Sequence, residues 1–435
     1  MKPSASHVWL CVLGVLGLPV TCPGQGPAAP PPTELAVRPG IEVLISDSMQ
    51  LVRRRRVGLV TNQAGVDSKG VSDVERLRGA GVNLVALFSP EHGFRGTAAP
   101  GAVVGSSTDS ATGLPIYSLY GANTAPSDEM LTGIDILLVD LQDAGARYYT
   151  YLFTTTQVMR SAARNRIPVV VLDRPNPIGG AVQGNVLDPA YASPVGLLAI
   201  PMRHGMTLGE LAQLAKHDLG LSTDLRVVPM RGWSRSMYFD ETGLPFIPPS
   251  PNLKTVESLI HYPGTCLFEG TNLSVGRGTD HPFEQVGAPW LDTAAVLSWL
   301  RHHSVPGVEF HGVKFTPHDP GDGKYADTTV VGIRLSVTDR SIYDPTALAI
   351  RLLQVLELGL AGNGDPQEIV VGPQRVFPAE PRQFDRLAGD GGDLRKALMA
   401  MELDPAPRLN TVLQSWDRSR SEFLARRRPF LIYPE

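Results

Sequence analysis

The run Phe88-Ser-Pro-Glu-His-Gly-Phe-Arg-Gly96 places a carboxylate, an imidazole and a guanidinium within five residues, at Glu91, His92 and Arg95. The mostly apolar Val82–Leu87 before it reads as a buried strand. The three groups therefore fall just past a strand end, where α/β folds bind their ligands. Pro90 and Gly93 rigidify and open the turn. A Glu at a partly dry strand end can hold a raised pKa and act as general acid, which makes Glu91 the leading catalytic candidate. The structural alternative is a Glu91–Arg95 ion pair that pins the loop, and spacing alone leaves the two level. His92 either orients Glu91, grips substrate, or is a hydrogen-bonded structural residue.

Further polar groups follow other apolar runs. Asn62 and Gln63 follow the first. The stretch Asp140-Leu-Gln-Asp-Ala-Gly-Ala-Arg-Tyr-Tyr-Thr-Tyr151 is dense in groups that grip sugars. Carboxylates and amides bond hydroxyls, and tyrosines offer ring faces. Alternation puts Asp140 and Gln142 on one face and Asp143 on the other. Asp140 also fits a helix cap or a buried ion pair. Tyr148 is the expected pocket residue, with Tyr149 and Tyr151 in the core. Asp173 and Asn176 of Asp173-Arg-Pro-Asn-Pro177 either face the cleft or build a rigid corner with the prolines. Glu269, Asn272, Ser274, Arg277 and Asp280 lie in a Gly-rich loop that would close over substrate. Arg277 suits a carboxylate, which a guanidinium binds bidentately. The alternative, a mobile linker, is weakened by Phe268, Leu273 and Phe283, which are expected to be buried. Asn272-Leu-Ser274 is also a glycosylation sequon.

Alternating elements must hold these groups. Strands are expected at Val57–Thr61, Leu84–Phe88, Ile134–Leu141, Pro168–Leu172 and Leu225–Met230, and helices at Asp73–Gly79, Leu152–Asn165 and Thr207–Asp218. Thr207 with Glu210 forms a capping box. This order predicts an α/β, Rossmann-like, mostly parallel doubly wound sheet whose one edge gathers the polar groups. Residues 245–285 read as a Gly- and Pro-rich loop in which Gly-Thr-Cys266-Leu-Phe is a buried strand. Beyond it, a helix at Thr293–His302, a strand at Val330–Val337 and a helix at Pro345–Leu358 imply a second, smaller α+β domain. The expected division is 1–32 leader and linker, 33–286 catalytic domain, and 287–435 a domain closing the cleft.

Composition narrows the function classes. The 435 residues exceed one simple core. A net charge of −4 gives no electrostatic reason to bind nucleic acid or an anionic membrane. Val8–Val20 is apolar but too short to anchor in a bilayer, and Pro23–Pro32 is rich in Pro, Gly and Ala. Together they predict a secretory signal peptide and export to periplasm or medium, with lipid attachment at Cys22 as the variant, although Pro19-Val-Thr fits a lipobox poorly. Cys266 alone remains in the mature body, so no internal disulfide is possible. The Gly-x-Gly-x-x-Gly, Walker, His-Glu-x-x-His and Gly-x-Ser-x-Gly motifs are absent, so neither cofactor nor metal is expected.

Five motifs share an order with one family. Thr61-Asn-Gln-Ala-Gly65, Phe88-Ser-Pro-Glu-His-Gly93, Asp140 to Tyr149, Leu172-Asp-Arg-Pro-Asn-Pro177 and Phe268-Glu-Gly-Thr-Asn272 resemble the exo-β-N-acetylmuramidases, long catalogued as a domain of unknown function. The resemblance spans about Val37–Tyr433. It implies a Rossmann-like N-terminal domain, a smaller C-terminal domain and a cleft between them. It also implies release of N-acetylmuramic acid from non-reducing ends of peptidoglycan fragments, with Glu91 on the family's proposed catalytic Glu. The lactyl carboxylate of muramic acid then gives Arg277 or Arg147 a partner.

Glu91 is accordingly expected as general acid. Paired carboxylates about 5–5.5 Å apart would mean retention and about 6.5–9.5 Å inversion. Asp140, Asp143, Glu269 and Asp280 are candidates for the second, and the substrate's acetamido group is another. A non-catalytic muropeptide- or wall-binding protein using the same cleft is the rival class. An acyl or amide hydrolase is disfavoured by the missing motifs.

Overall fold

A computed structural model describes residues 37–99, 101–103, 105–302, 305–357, 376–378, 381–399 and 406–435. The expected signal peptide, its linker and Cys22 lie outside the described residues.

The apolar runs become strands β1 (Arg56–Thr61), β2 (Asn83–Ser89), β3 (Ser107–Thr108), β4 (Pro115–Ser118), β5 (Ile136–Asp140) and β6 (Val169–Leu172). A hairpin of β7 (Gln183–Val186) and β8 (Pro201–Arg203) precedes β9 (Leu225–Val228). The main sheet has the order β3-β4-β2-β1-β5-β6-β9, with every pair parallel except β3 with β4. Val57 and Leu59 of β1 point to one face, where they meet α1 (Gly40–Asp47) and α2 (Asp73–Gly79). The short α3 (Asp128–Leu131) leads into β5. Val60, Phe88, Leu137 and Val139 point to the other face, under α4 (Tyr151–Arg164) and α5 (Leu208–Asp218). Both faces are thus covered, which is why β5 and β6 are apolar throughout rather than alternating. The chain is a Rossmann-like, doubly wound α/β fold, as the element order predicts.

The stretch read as a loop holds a helix, α6 (Val256–Thr265). Thr255 caps it, and Pro263 sits inside. The residues around Cys266 continue it as a 3-10 helix, Cys266–Gly270, and not as the expected strand. The glycines that suggested a loop serve close packing instead. A β-carbon on Gly270 would lie 2.4 Å from the Phe384 backbone.

A second, antiparallel sheet follows, built of β10 (Gln285–Ala288), β11 (Val308–Phe315) and β12 (Val330–Val337) in the order β10-β12-β11. With it go α7 (Thr293–His302), α8 (Pro345–Glu357), α9 (Arg382–Ala388), α10 (Asp393–Met399) and α11 (Ala406–Arg427). A β-carbon on Gly264 of α6 would stand 1.9 Å from the Pro345 carbonyl oxygen at the start of α8. The chain from Ala36 to Glu435 forms one compact unit. Its C-terminal end returns to the main sheet, where the Tyr433 hydroxyl donates to Asp173 at 2.6 Å.

Candidate active site

β2 ends at Ser89, and the chain then turns sharply. His92 has φ +72 and Gly93 φ +75, two consecutive left-handed residues. For a histidine this conformation is uncommon and unfavourable. The ring offsets it by burial and by an Nδ1 bond of 3.0 Å to the Ala98 carbonyl. A carbonyl can only accept, so Nδ1 carries the hydrogen and Nε2 is left as an acceptor. Burial lowers the His92 pKa. Glu91 and the Ala98 bond raise it in part, and the Arg277 charge lowers it further.

Glu91 sits half-buried in this turn. Its Oε2 accepts from the Thr150 hydroxyl at 2.8 Å, and its Oε1 from the Gly101 amide at 3.1 Å. The Tyr120 phenol is its electrostatic neighbour. Burial and the neighbouring Glu91 push that phenol up to about 12. Arg95 does not pair with Glu91. It is exposed and stands 3.8 Å from Asp109. Such a surface pair contributes little.

The wall beside Glu91 is a hydrogen-bonded scaffold. Asn62 donates to the Tyr151 hydroxyl at 2.6 Å, and Gln63 to the Pro248 carbonyl at 2.8 Å. Tyr149 and Tyr151 both donate to the Pro249 carbonyl. Both tyrosines are core, as expected. Asn62, Gln63 and Arg95 also line a cavity of about 630 Å³ beside Asp73 and Thr112.

Under the strand ends lies a buried charge cluster. Arg174 holds Asp140 through Nε–Oδ1 at 2.5 Å and Nη2–Oδ2 at 3.0 Å, and also donates to the Val66 carbonyl. Burial works against the Arg174 charge, but Asp140 outweighs it and raises the pKa. The Thr61 hydroxyl donates to Asp73. Burial, and then the charge of Asp140, push Asp73 well above the usual carboxylate range. Asp140 thus takes the buried ion-pair role that the sequence left open.

Several other candidates are committed inside the fold. Asp143 accepts from the Gly145 amide at 2.7 Å and faces His204 at 3.4 Å. Gln142 donates to the carbonyls of Asp143 and Pro175. Tyr148 is not a pocket residue. It is 2% exposed and donates to the Pro263 carbonyl. Arg147 is 3% exposed and donates to Asn185, Ile200, Leu387 and Ala388. It cross-links the hairpin to the end of α9, and its burial lowers its pKa. Asp173 accepts from Thr207, Tyr433 and the Gly209 amide, and burial raises it to about 6. Asn176 bonds Met206 and Ile178, building the corner.

The joining loop carries an open pair. Arg277 donates to Glu269 Oε1 through Nε at 2.6 Å and through Nη2. Arg277 and Glu269 keep 12% and 18% of their side-chain surface exposed. The Cys266 thiol lies 3.7 Å from Glu269 Oε2. Phe268, Leu273 and Phe283 are buried, so this loop is anchored. Lys324 ties it further by donating to the carbonyls of Phe268, Glu269 and Leu273. Burial lowers the Lys324 pKa. Asn272 supplies its backbone carbonyl to Tyr325. Asp280 is 99% exposed, 4.0 Å from Lys254, and takes no part.

The geometry thus groups Glu91 and His92 with Thr150 and Tyr120, and the Arg277 charge acts on His92. Thr150, Tyr120 and Lys324 were not singled out in the sequence. Thr150 lies in the Asp140–Tyr151 motif, whereas Lys324 has no local signal.

Comparison with known proteins adds an independent line. Residues 57–257 match the family model for the N-terminal part of exo-beta-N-acetylmuramidase NamZ, and 260–433 that for its C-terminal part. The chain is 40% identical over 399 residues to the peptidoglycan beta-N-acetylmuramidase NamZ of Bacillus subtilis strain 168, covering 91% of each chain. Two solved DUF1343 family proteins from Bacteroides fragilis superpose with TM-scores of 0.79 and 0.72 at 33% and 31% identity. Each alignment covers 92% of this chain and 99% of the other.

Proposed function

The chain belongs to the exo-β-N-acetylmuramidase NamZ family, and we propose that it is an exported hydrolase releasing N-acetylmuramic acid from non-reducing ends of peptidoglycan fragments. It is a glycosidase acting on peptidoglycan-derived material. The observation that carries the finer reading is Glu91, a half-buried carboxyl at the strand-end edge held by Thr150 and Gly101.

In this reading Glu91 protonates the glycosidic oxygen as its bond to the anomeric carbon breaks. Glu269 is the second carboxylate. Asp140 and Asp143 are buried and engaged and Asp280 is in solvent, so Glu269 alone of the four candidates is both accessible and held. Arg277 holds its Oε1 through two nitrogens and leaves Oε2 free of the guanidinium, which suits a group that activates water or stabilises an oxocarbenium-like transition state. The remaining Nη1 of Arg277 would take the lactyl carboxylate. Arg147, buried and with both Nη atoms bonded to oxygens of the fold, is unsuited to that task.

Incubation with the disaccharide of muramic acid and N-acetylglucosamine tests the proposal. Release of free N-acetylmuramic acid is expected. Binding of the disaccharide without release would replace the hydrolase with the wall-binding alternative.

A further inference from the structure

A Ser or Thr just before a helix ordinarily turns its hydroxyl onto a free backbone N–H of the first turn. This chain follows the rule repeatedly. Ser72 accepts from Glu75 N, Ser127 from Met130 N, Thr207 from Glu210 N and Thr255 from Ser258 N. All four caps have extended backbone, with ψ of 147, 165, 166 and 160.

Thr150 precedes α4 and departs from the rule. Its φ −77 and ψ −4 are helical, and it makes no capping bond. Its hydroxyl is directed instead to Glu91 Oε2, 59 residues away in sequence. The 14-residue α4 gives up a cap, and the hydroxyl serves the carboxyl.

We propose that Thr150 is a positioning residue that places the catalytic proton of Glu91 on Oε2. This rests on the reading of Glu91 as general acid. The Gly101 amide at Oε1 can only donate, so Oε1 must accept in both protonation states. A hydroxyl can reverse. It accepts from a protonated Oε2 while the site is empty; with substrate bound the proton turns to the glycosidic oxygen and the hydroxyl donates to the other lone pair of Oε2, as seen here. As Oε2 gives its proton to the glycosidic oxygen and the glycosidic bond opens, that donated bond stabilises the carboxylate being formed. The bond to a charged acceptor is the stronger of the two, so the hydroxyl contributes more as the reaction proceeds. The positive end of the α4 dipole acts in the same sense. The other titratable neighbours are Tyr120, His92 and Tyr151, with Arg277 acting on His92. None of them offers a reversible donor to Oε2 from a helix terminus.

The test compares Thr150→Val, Thr150→Ser and Glu91→Gln on a muramic aryl glycoside, with kcat, KM, the pH profile of kcat and the melting temperature. Thr150→Val is expected to lower kcat roughly 10- to 100-fold, the range for losing one hydrogen bond to a charged group. Its KM and melting temperature should stay at wild type, because no cap is lost. The basic limb of its profile should move to higher pH, since the carboxylate loses a donor. Thr150→Ser should restore both kcat and the limb. Wild-type kcat and an unmoved limb in Thr150→Val, beside an inactive Glu91→Gln, would overturn the role of Thr150 alone. A fall in melting temperature that Ser does not rescue would also overturn it, by making the residue structural. An active Glu91→Gln would instead remove the reading on which it rests.

Discussion

Replacing Arg174 by Met leaves Asp140 as an uncompensated carboxylate in the floor of the site. Asp140 is fully buried, and both its oxygens are held by this one guanidinium. Asp73 sits beside it, already pushed upward by burial and by Asp140. Breaking a buried pair from one side costs about 3–5 kcal/mol. In a compact unit of this size, Ala36–Glu435, that shifts the melting temperature by roughly 4–6 °C. The loss should shrink at low pH, because the orphaned carboxyls can then be protonated. The double variant Asp140→Asn with Arg174→Met removes both charges and should recover most of the stability. Thermal melts of the two singles and the double at several pH values measure the coupling. Turnover in the double variant separates structure from chemistry. If Asp140 is only a counterion, the refolded double variant keeps activity within about tenfold of wild type, under ~1.4 kcal/mol in the barrier. A stable but inactive double variant would refute the counterion argument and return Asp140 to the mechanism.

Other perturbations follow from the same geometry. Asp173 has a pKa of about 6 against an ordinary value near 4, so the native state binds its proton more tightly than the unfolded one. Its contribution therefore becomes unfavourable as pH rises from about 4 to 6 and reaches about 3 kcal/mol above that. Asp173→Asn should flatten the stability profile across this window, as urea melts at successive pH values would show; an unchanged slope would assign it to other groups. Gly264→Ala should strongly destabilise the protein, because its β-carbon would meet the Pro345 carbonyl oxygen at 1.9 Å. A normal melting temperature would contradict that close approach of α6 and α8. Arg277→Lys should raise KM for a muramic glycoside more than for its glucosamine analogue, which lacks the lactyl carboxylate. Equal effects on both would remove Arg277 as the lactyl anchor.

The central strands and the α4 and α5 helices were legible because continuous apolar runs and a capping box have few other uses. The helix α6 was hidden by Pro263, Gly264 and Gly270, which resemble loop punctuation but serve close backbone contacts. In the proposed site, residue types singled out Glu91 and the Glu269–Arg277 loop. Burial was the missing variable for Arg147 and Tyr148. Arg147 bonds carbonyls 240 and 241 residues away, a partnership with no trace in local sequence. A buried ion pair was one of several readings for Asp140, with no partner named, because a strand-end carboxylate looks the same whether it faces a ligand or a buried cation such as Arg174. Thr150 was passed over for a related reason. A Thr at a helix start announces a cap, and only the backbone dihedrals reveal that its hydroxyl is used elsewhere.

Turnover of a muramic aryl glycoside by Glu91→Gln tests the central claim most directly. Glutamine keeps the shape; its Oε1 can still accept from the Gly101 amide and its Nε2 can donate to the Thr150 hydroxyl oxygen, so the fold and melting temperature should persist. Loss of the acid should lower kcat by about 10²–10⁴-fold. Turnover equal to wild type in the folded variant would contradict the assignment of Glu91 as general acid.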